Sequence, residues 1–190
     1  MTTQIFLFAV IALLITPGPT NTLLALGGAA AGPRAALRLL PAELAGYLAA
    51  AIPLTALRLW VDPAAGPAGL VLHGLAAAWV GWLALRIGLG AGAAGTPRPV
   101  TARTVLMTTL LNPKVLVFGL ILLPPPGDAA YALHLALFAL SVPAIGLGWT
   151  LLGAALHRGG GAQATLWLRR GAALWLGVLA VMLAQGAIAA

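Results

Sequence analysis

Residues 11–24 read IALLITPGPTNTLL, an apolar run that two prolines and a glycine interrupt near its middle. Proline has no backbone N–H and clashes with the preceding turn, so Pro17, with Gly18 and Pro19, is expected to break the helix that this run would otherwise form. A second apolar run, residues 105–117, reads VLMTTLLNPKVLV and carries Pro113 about half a chain later. We therefore predict two broken helices at corresponding positions of the chain.

Composition places these helices in a membrane. Hydrophobic residues make up 62% of the 190 residues and charged residues only 7%, whereas a soluble domain carries about 25% charged residues. The apolar stretches between turn clusters reach the ~20 residues that cross a bilayer. The sequence predicts an all-α integral membrane protein with six transmembrane helices, at residues 3–31, 36–60, 67–87, 101–123, 129–156 and 166–188.

The positions of the breaks divide the chain into two repeats, residues 1–95 and 96–190, within one membrane domain. Each repeat holds three helices, and three is odd, so the second repeat must enter the membrane with the opposite polarity. Broken helices 1 and 4 then occupy equivalent places. We predict two inverted three-helix repeats whose similarity lies in hydropathy and helix breaks more than in residue identity.

The basic residues predict the orientation of the helices. Arginines that flank connections 1, 3 and 5 are Arg34, Arg38, Arg86, Arg98, Arg103, Arg158, Arg169 and Arg170, whereas only Arg58 flanks the other side. Because cytoplasmic loops are enriched in Lys and Arg, these three connections are predicted to be cytoplasmic and both termini outside.

The first segment has no basic residue before Arg34, so we interpret it as a retained helix and not as a signal peptide. The tryptophans near segment ends are interpreted as anchors at the membrane surface.

The two breaks are also the predicted substrate site. In lipid, interrupted helices persist where the freed backbone groups line a cavity or meet neighbouring helices, and paired breaks in two halves mark the binding site of transporters. The restarted half-helices present free amides and the positive end of a dipole, which suit a carboxylate. Thr20 or Asn21 is expected either to cap its own half-helix or to contact the ligand. The candidate substrate-binding residues are Pro17, Gly18, Pro19, Thr20, Asn21, Asn112, Pro113 and Lys114.

Two charged residues within the helices have a functional and a structural interpretation. Lys114, the single lysine of the chain, lies in mid-segment, where a charge costs a few kcal/mol. It either pairs with a ligand carboxylate, or caps a helix or reaches the interface with its long stem. Glu43 either carries a proton or meets a substrate ammonium, or pairs with Arg34 or Arg38 near the cytoplasmic surface.

Several classes of function lack their sequence signatures. The basic residues form no stripe that would bind nucleic acid. With no cysteine, three histidines and three acidic residues, we expect no metal centre. Phosphate loops, nucleophile elbows and other catalytic motifs are absent from the sequence, so we predict neither an enzyme nor a bound cofactor.

The two runs around the breaks resemble a known family. Ile15-Thr16-Pro17-Gly18-Pro19-Thr20-Asn21-Thr22-Leu23-Leu24 resembles the Pro-Gly-Pro signature of the LysE/RhtB exporters, and Leu110-Leu111-Asn112-Pro113-Lys114 is similar to their second signature. The resemblance extends over essentially the whole chain. It implies export of amino acids or their derivatives from the cytoplasm of bacteria across the inner membrane, driven by the proton-motive force, often by a homo-oligomer.

The sequence does not identify the substrate, and it allows two alternative functions. Thr20 stands before Asn21 where many members have Asn directly after the second proline, and the third connection is short, so the resemblance does not specify which amino acid is carried. A transporter or channel for another small solute or ion is one alternative. A membrane scaffold subunit without transport activity is the other, although it leaves the paired helix breaks unexplained.

Overall fold

The computed structural model describes residues 2–57 and 100–189, together with eight residues between Ala78 and Leu89. In these ranges all regular structure is helical, which confirms the all-α prediction. A 3-10 turn at Pro33–Ala35 and a π-helical turn at Phe118–Leu122 accompany the main helices. The helices are α1 (Thr3–Ile15), α2 (Pro19–Ala31), α3 (Ala36–Leu57), α4 (Ala102–Leu110), α5 (Pro113–Val117) and α6 (Tyr131–Ala189).

Both predicted helix breaks are present. The axis bends by 58° between α1 and α2 and by 49° between α4 and the segment Pro113–Leu122. Pro19 and Pro113 each open the new helix at its first turn, where the missing N–H would have had no partner within the helix. The prolines therefore end one half-helix and start the next within the same apolar segment.

The described helices include candidate membrane spans. Leu37–Leu57 and Tyr131–Gly161 are long and apolar enough to cross a bilayer, and each bent pair would add one span, which gives two to four spans. Most of the predicted third helix, residues 67–87, and the connections at 61–66 and 90–99 lie outside the described residues. The structure thus supports an integral membrane protein, and the six-span inverted repeat stays a prediction.

The connection between the fifth and sixth predicted helices is shorter in the structure than the sequence predicts. Helix α6 continues through Gly159 and Gly160, and only Gly161 leaves the helical conformation, with φ 58° and ψ −142°. A glycine within a helix costs about 1 kcal/mol, too little to end the helix by itself. A single residue in the left-handed region, which glycine tolerates, is enough to change the direction of the chain.

Small residues allow the two bent pairs, α1 with α2 and α4 with α5, to pack closely against the long helices α6 and α3. A Cβ atom on Gly28 of α2 would overlap the backbone of Thr150 in α6, and one on Gly153 would overlap the backbone of Ala25. Between the other bent pair and α3, a Cβ on Gly46 would lie 2.8 Å from Cβ of Thr109 in α4. Each bent pair therefore packs closely against a long helix from the other half of the chain.

Aromatic rings fill the region beside the second break. Tyr47 contacts Phe118 and Phe138 edge-on, with ring centroids 5.6 and 5.7 Å away. All three rings are fully buried, and they belong to α3, the π-helical turn and α6. This aromatic cluster fixes the Tyr47 hydroxyl next to the polar residues at the breaks.

Candidate functional site

The first break exposes backbone carbonyls that side chains satisfy. The amide of Asn21 donates to the carbonyl of Leu14 at 2.7 Å and to that of Thr16 at 2.9 Å. Asn21 thus caps the carboxyl end of α1. Of the two predicted roles of Thr20 or Asn21, capping its own half-helix is not realised, because Gly18 is the N-cap of α2 and no side chain in the described residues caps that end. Contact with a ligand stays a prediction.

Lys114 reaches the first break from the second. Its ammonium donates to the Thr16 carbonyl, and a Cβ atom on Gly18 would lie 3.2 Å from Nζ. The side chain is only 8% exposed. Of the two predicted roles, capping a helix end is therefore realised, and pairing with a ligand carboxylate stays a prediction.

Asn112 connects the two breaks a second time. Its side-chain oxygen accepts from the Lys114 amide at 3.1 Å and caps α5, while its Nδ2 donates to the Thr20 hydroxyl at 3.0 Å and contacts the Tyr47 hydroxyl at 3.5 Å. The hydroxyls of Thr20 and Thr109 are 3.2 Å apart. Because these residues are almost fully buried, they form a continuous polar seam between the two bent helices.

Glu43 lies inside the protein and not at the cytoplasmic surface. Its side chain is 1% exposed, whereas Arg34 and Arg38 are exposed. Oε2 has no hydrogen-bond partner among the described residues, and it contacts α6 where Gly146 leaves room. Glu43 and Lys114 interact electrostatically. The structure therefore shows no pairing of Glu43 with Arg34 or Arg38 in the described part of the chain.

The last helix, which is the part of α6 that follows Gly161, contributes one more donor to the first break. The indole N–H of Trp175 donates to the Pro17 carbonyl at 3.3 Å. The ring of Trp175 is 41% exposed, so its interpretation as an anchor at the membrane surface stays a prediction. Trp167 on the same helix is 62% exposed and stacks with Arg170, whose guanidinium carbon lies 5.7 Å from the ring centroid.

The structure brings most of the predicted site residues together. Gly18, Thr20, Asn21, Asn112 and Lys114 are buried within one polar region, while Pro19 and Pro113 start the half-helices that position them. Pro17 is exposed and contributes its carbonyl. The roles of these residues in substrate binding stay predictions.

Sequence reasoning did not identify Tyr47, Thr109 and Trp175. Tyr47 follows Glu43 by four residues, so helical periodicity already placed the two on one face. Thr109 lies about one helical turn before Asn112, so the same periodicity places these two residues near each other. The contact of Trp175 with the break could not be predicted, because nothing in the sequence distinguishes this residue from the other tryptophans.

Together these residues include a buried positive group and a buried acidic group, the kinds of group that can bind the two charges of a zwitterion. One buried ammonium, Lys114, lies beside the uncapped amino end of α2, and one buried carboxyl group, Glu43, lies within electrostatic range of it. In the residues that the structure describes, no three His, Asp or Glu side chains converge as metal ligands would.

Comparison with known proteins gives one informative relative. The chain is 28% identical over 152 residues to the cysteine/O-acetylserine efflux protein of Klebsiella pneumoniae subsp. pneumoniae, with 76% of this chain and 78% of the relative aligned. This similarity supports the resemblance to LysE/RhtB-type exporters. No protein-family profile matches the chain, and no solved structure matches it.

Proposed function

We propose that this protein exports amino acids or amino-acid derivatives across the bacterial cytoplasmic membrane. One structural observation carries the proposal: the two bent helices meet at their breaks, where Lys114 bonds to Thr16 and Asn112 bonds to Thr20. Breaks that face each other with buried polar groups are the arrangement of a transport site. The relative named as an efflux protein supports export as the direction of transport.

The carboxylate of the substrate binds between Lys114 and the start of α2. Helix α2 spans 13 residues and has no side-chain cap, so its first amides and its dipole favour an anion there. The Lys114 ammonium already lies against Gly18 at that end. An ammonium has three donors, so it can hold the carboxylate while it leaves or shares the Thr16 carbonyl.

Glu43 serves the amino group of the substrate or the coupling proton. A buried carboxyl group with one oxygen that lacks a hydrogen-bond partner in the described part of the chain is unfavourable as an anion, so it binds a proton or meets a cation. Both partners would reach it from the polar seam at Tyr47 and Asn112. Exchange of a proton for the substrate ammonium on Glu43 would couple export to the proton-motive force.

The two halves act as inverted repeats around this site, with both termini outside. Each bent pair packs against the long helix of the other half through close glycine contacts, which supports such a relation between the halves. Rocking one half against the other would expose the breaks alternately to the two sides of the membrane. The protein acts as a secondary transporter and forms a homo-oligomer.

The first substrates to test are cysteine and O-acetylserine, which the relative's name specifies for that protein. Both are small zwitterions with a polar side chain. The hydroxyls of Thr20, Thr109 and Tyr47 offer hydrogen bonds to such side chains. Larger apolar amino acids would have to displace this seam.

Efflux of labelled amino acids from proteoliposomes, with and without a pH gradient, tests the proposal. We expect the wild type to release at least one of them and Lys114→Met to lose release about tenfold or more, because the variant keeps the stem without the charge. Arg103→Gln, which removes an exposed charge from α4, is the control and should transport normally. If no amino acid moves through the wild type under any gradient, the exporter proposal is wrong and the scaffold alternative is favoured.

A further inference from the structure

The first break depends on three side chains from three helices. The carbonyls of Leu14 and Thr16 accept from Asn21, that of Thr16 also accepts from Lys114, and that of Pro17 accepts from Trp175. Thr16 thus has two donors in the described structure, whereas Pro17 has one. When Lys114 turns toward a substrate carboxylate, Asn21 still satisfies Thr16, but only Trp175 satisfies Pro17.

The Pro17 carbonyl controls the direction of the next amide. It shares one planar peptide unit with the N–H of Gly18, and the two groups point in opposite directions. Gly18 is the N-cap of α2 and the residue that Lys114 contacts. A donor that fixes the Pro17 carbonyl therefore also fixes the Gly18 amide beside the ammonium.

The ring of Trp175 is 41% exposed, and the packing of its neighbour in the chain fixes its backbone beside the break. The next residue, Leu176, is fully buried in a cluster with Leu23 and Leu24 of α2, so the last helix is packed against the half-helix that starts at the break. The indole can then transmit the position of that helix to the Pro17 peptide. An indole N–H is a donor only, which suits a carbonyl partner.

We propose that Trp175 is a positioning residue of the transport site, whose indole N–H orients the Pro17–Gly18 peptide for carboxylate binding. This inference rests on the proposed function. Trp175 does not touch the substrate. Its role is to keep the amino end of α2 in the shape that the substrate requires once Lys114 has left Thr16.

Substitution of the single N–H group gives the sharpest test. Incorporation of benzothienylalanine at position 175 replaces N–H by sulfur and keeps the shape of the ring, and Trp175→Phe removes the donor by ordinary mutagenesis. We expect both to raise KM for the exported amino acid about three- to tenfold, the effect of one hydrogen bond, with Vmax within about twofold. Trp167→Phe, on the same helix, replaces a ring that contacts Arg170 instead of the first break, and it should leave both constants unchanged.

Three outcomes distinguish the possible failures. An unchanged KM in both variants would overturn the positioning role, and a loss of Vmax with unchanged KM would do the same, because it indicates damage to the fold. If the wild type transports nothing, the proposed function fails, and a vibrational difference spectrum between wild type and Trp175→Phe still tests the bond. An indole N–H band at the frequency of a free donor would then overturn the inference.

Discussion

The two asparagines next to the breaks have opposite structural roles. Asn21 donates backward to the carbonyl end of α1, whereas Asn112 accepts from the amide of Lys114 and caps the helix that follows it. A carboxamide has both donors and an acceptor, so either role is open to the same side chain. Local backbone geometry decides whether the side chain acts as a donor or as an acceptor. The presence of an asparagine in the sequence does not predict which of the two roles it has.

Replacing Asn21 by Leu should destabilise the protein by about 1–3 kcal/mol, because it leaves the buried Leu14 carbonyl without its donor. The free energy of unfolding in mixed detergent micelles, followed by circular dichroism, measures this change. Thr16→Val is the control. Its hydroxyl bonds to the Ala12 carbonyl at an exposed position, and the Thr16 amide bonds to the same carbonyl, so we expect a change below about 0.5 kcal/mol.

Replacing Glu43 by Gln should separate transport from its coupling. Gln keeps the volume of the side chain but cannot exchange a proton, so substrate counterflow without a gradient should continue while a pH gradient no longer drives accumulation. Asp128→Asn, at an exposed acid whose oxygen accepts from the Ala130 amide, should retain gradient-driven transport. Gradient-driven accumulation that survives in Glu43→Gln would exclude the proton role.

At the scale of the helices, glycines decide how closely α2 and α6 approach. Gly28 and Gly153 each face backbone of the other helix, with no space for a Cβ atom. Close approach of backbones through small residues is a main source of helix association in lipid, where the hydrophobic effect contributes little. The bent pair is thus held against α6 by van der Waals contact along its second half.

Gly28→Val should therefore lower the stability by about 1–3 kcal/mol or more, since the helices must separate to accept the side chain. The yield of monodisperse protein in detergent and its unfolding midpoint both report this loss. Gly148→Ala lies on α6 at an exposed position with nothing within 4 Å of the added atom. Its stability should equal that of the wild type or exceed it by up to about 1 kcal/mol, because alanine is favoured over glycine within a helix. A similar loss in both variants would contradict the packing explanation.

The sequence predicts some of these elements much better than others. Pro17, Pro19 and Pro113 locate the breaks because the chemistry of proline is local, and the start of α5 near Lys114 follows from it. The partner of Lys114 is not predictable in this way, because the Thr16 carbonyl is distant in the chain and reaches it only through tertiary packing. Gly159 to Gly161 illustrate the opposite error, since three glycines suggested a loop where one residue makes the turn.

At the scale of the whole molecule, the orientation in the membrane follows from the arginines and stays open to direct test. The chain has no cysteine, so single cysteines can be introduced without background. With both termini outside, Asp128→Cys should react with an impermeant maleimide in intact cells, and Arg34→Cys only after the membrane is permeabilised. Both side chains are exposed. The reverse labelling pattern would invert the proposed topology.

The donors that satisfy the first break also impose an order on biosynthesis. Lys114 and Trp175 lie 98 and 158 residues beyond their acceptors, so neither exists when the ribosome has delivered α1 and α2. At about 5–20 residues per second, Trp175 follows Pro17 by roughly 8 to 30 seconds. During that interval Asn21 is the one of the three donors already made, and the nascent bent segment must keep its other carbonyls in water or inside the insertion machinery. The element encoded first is therefore the last to be completed.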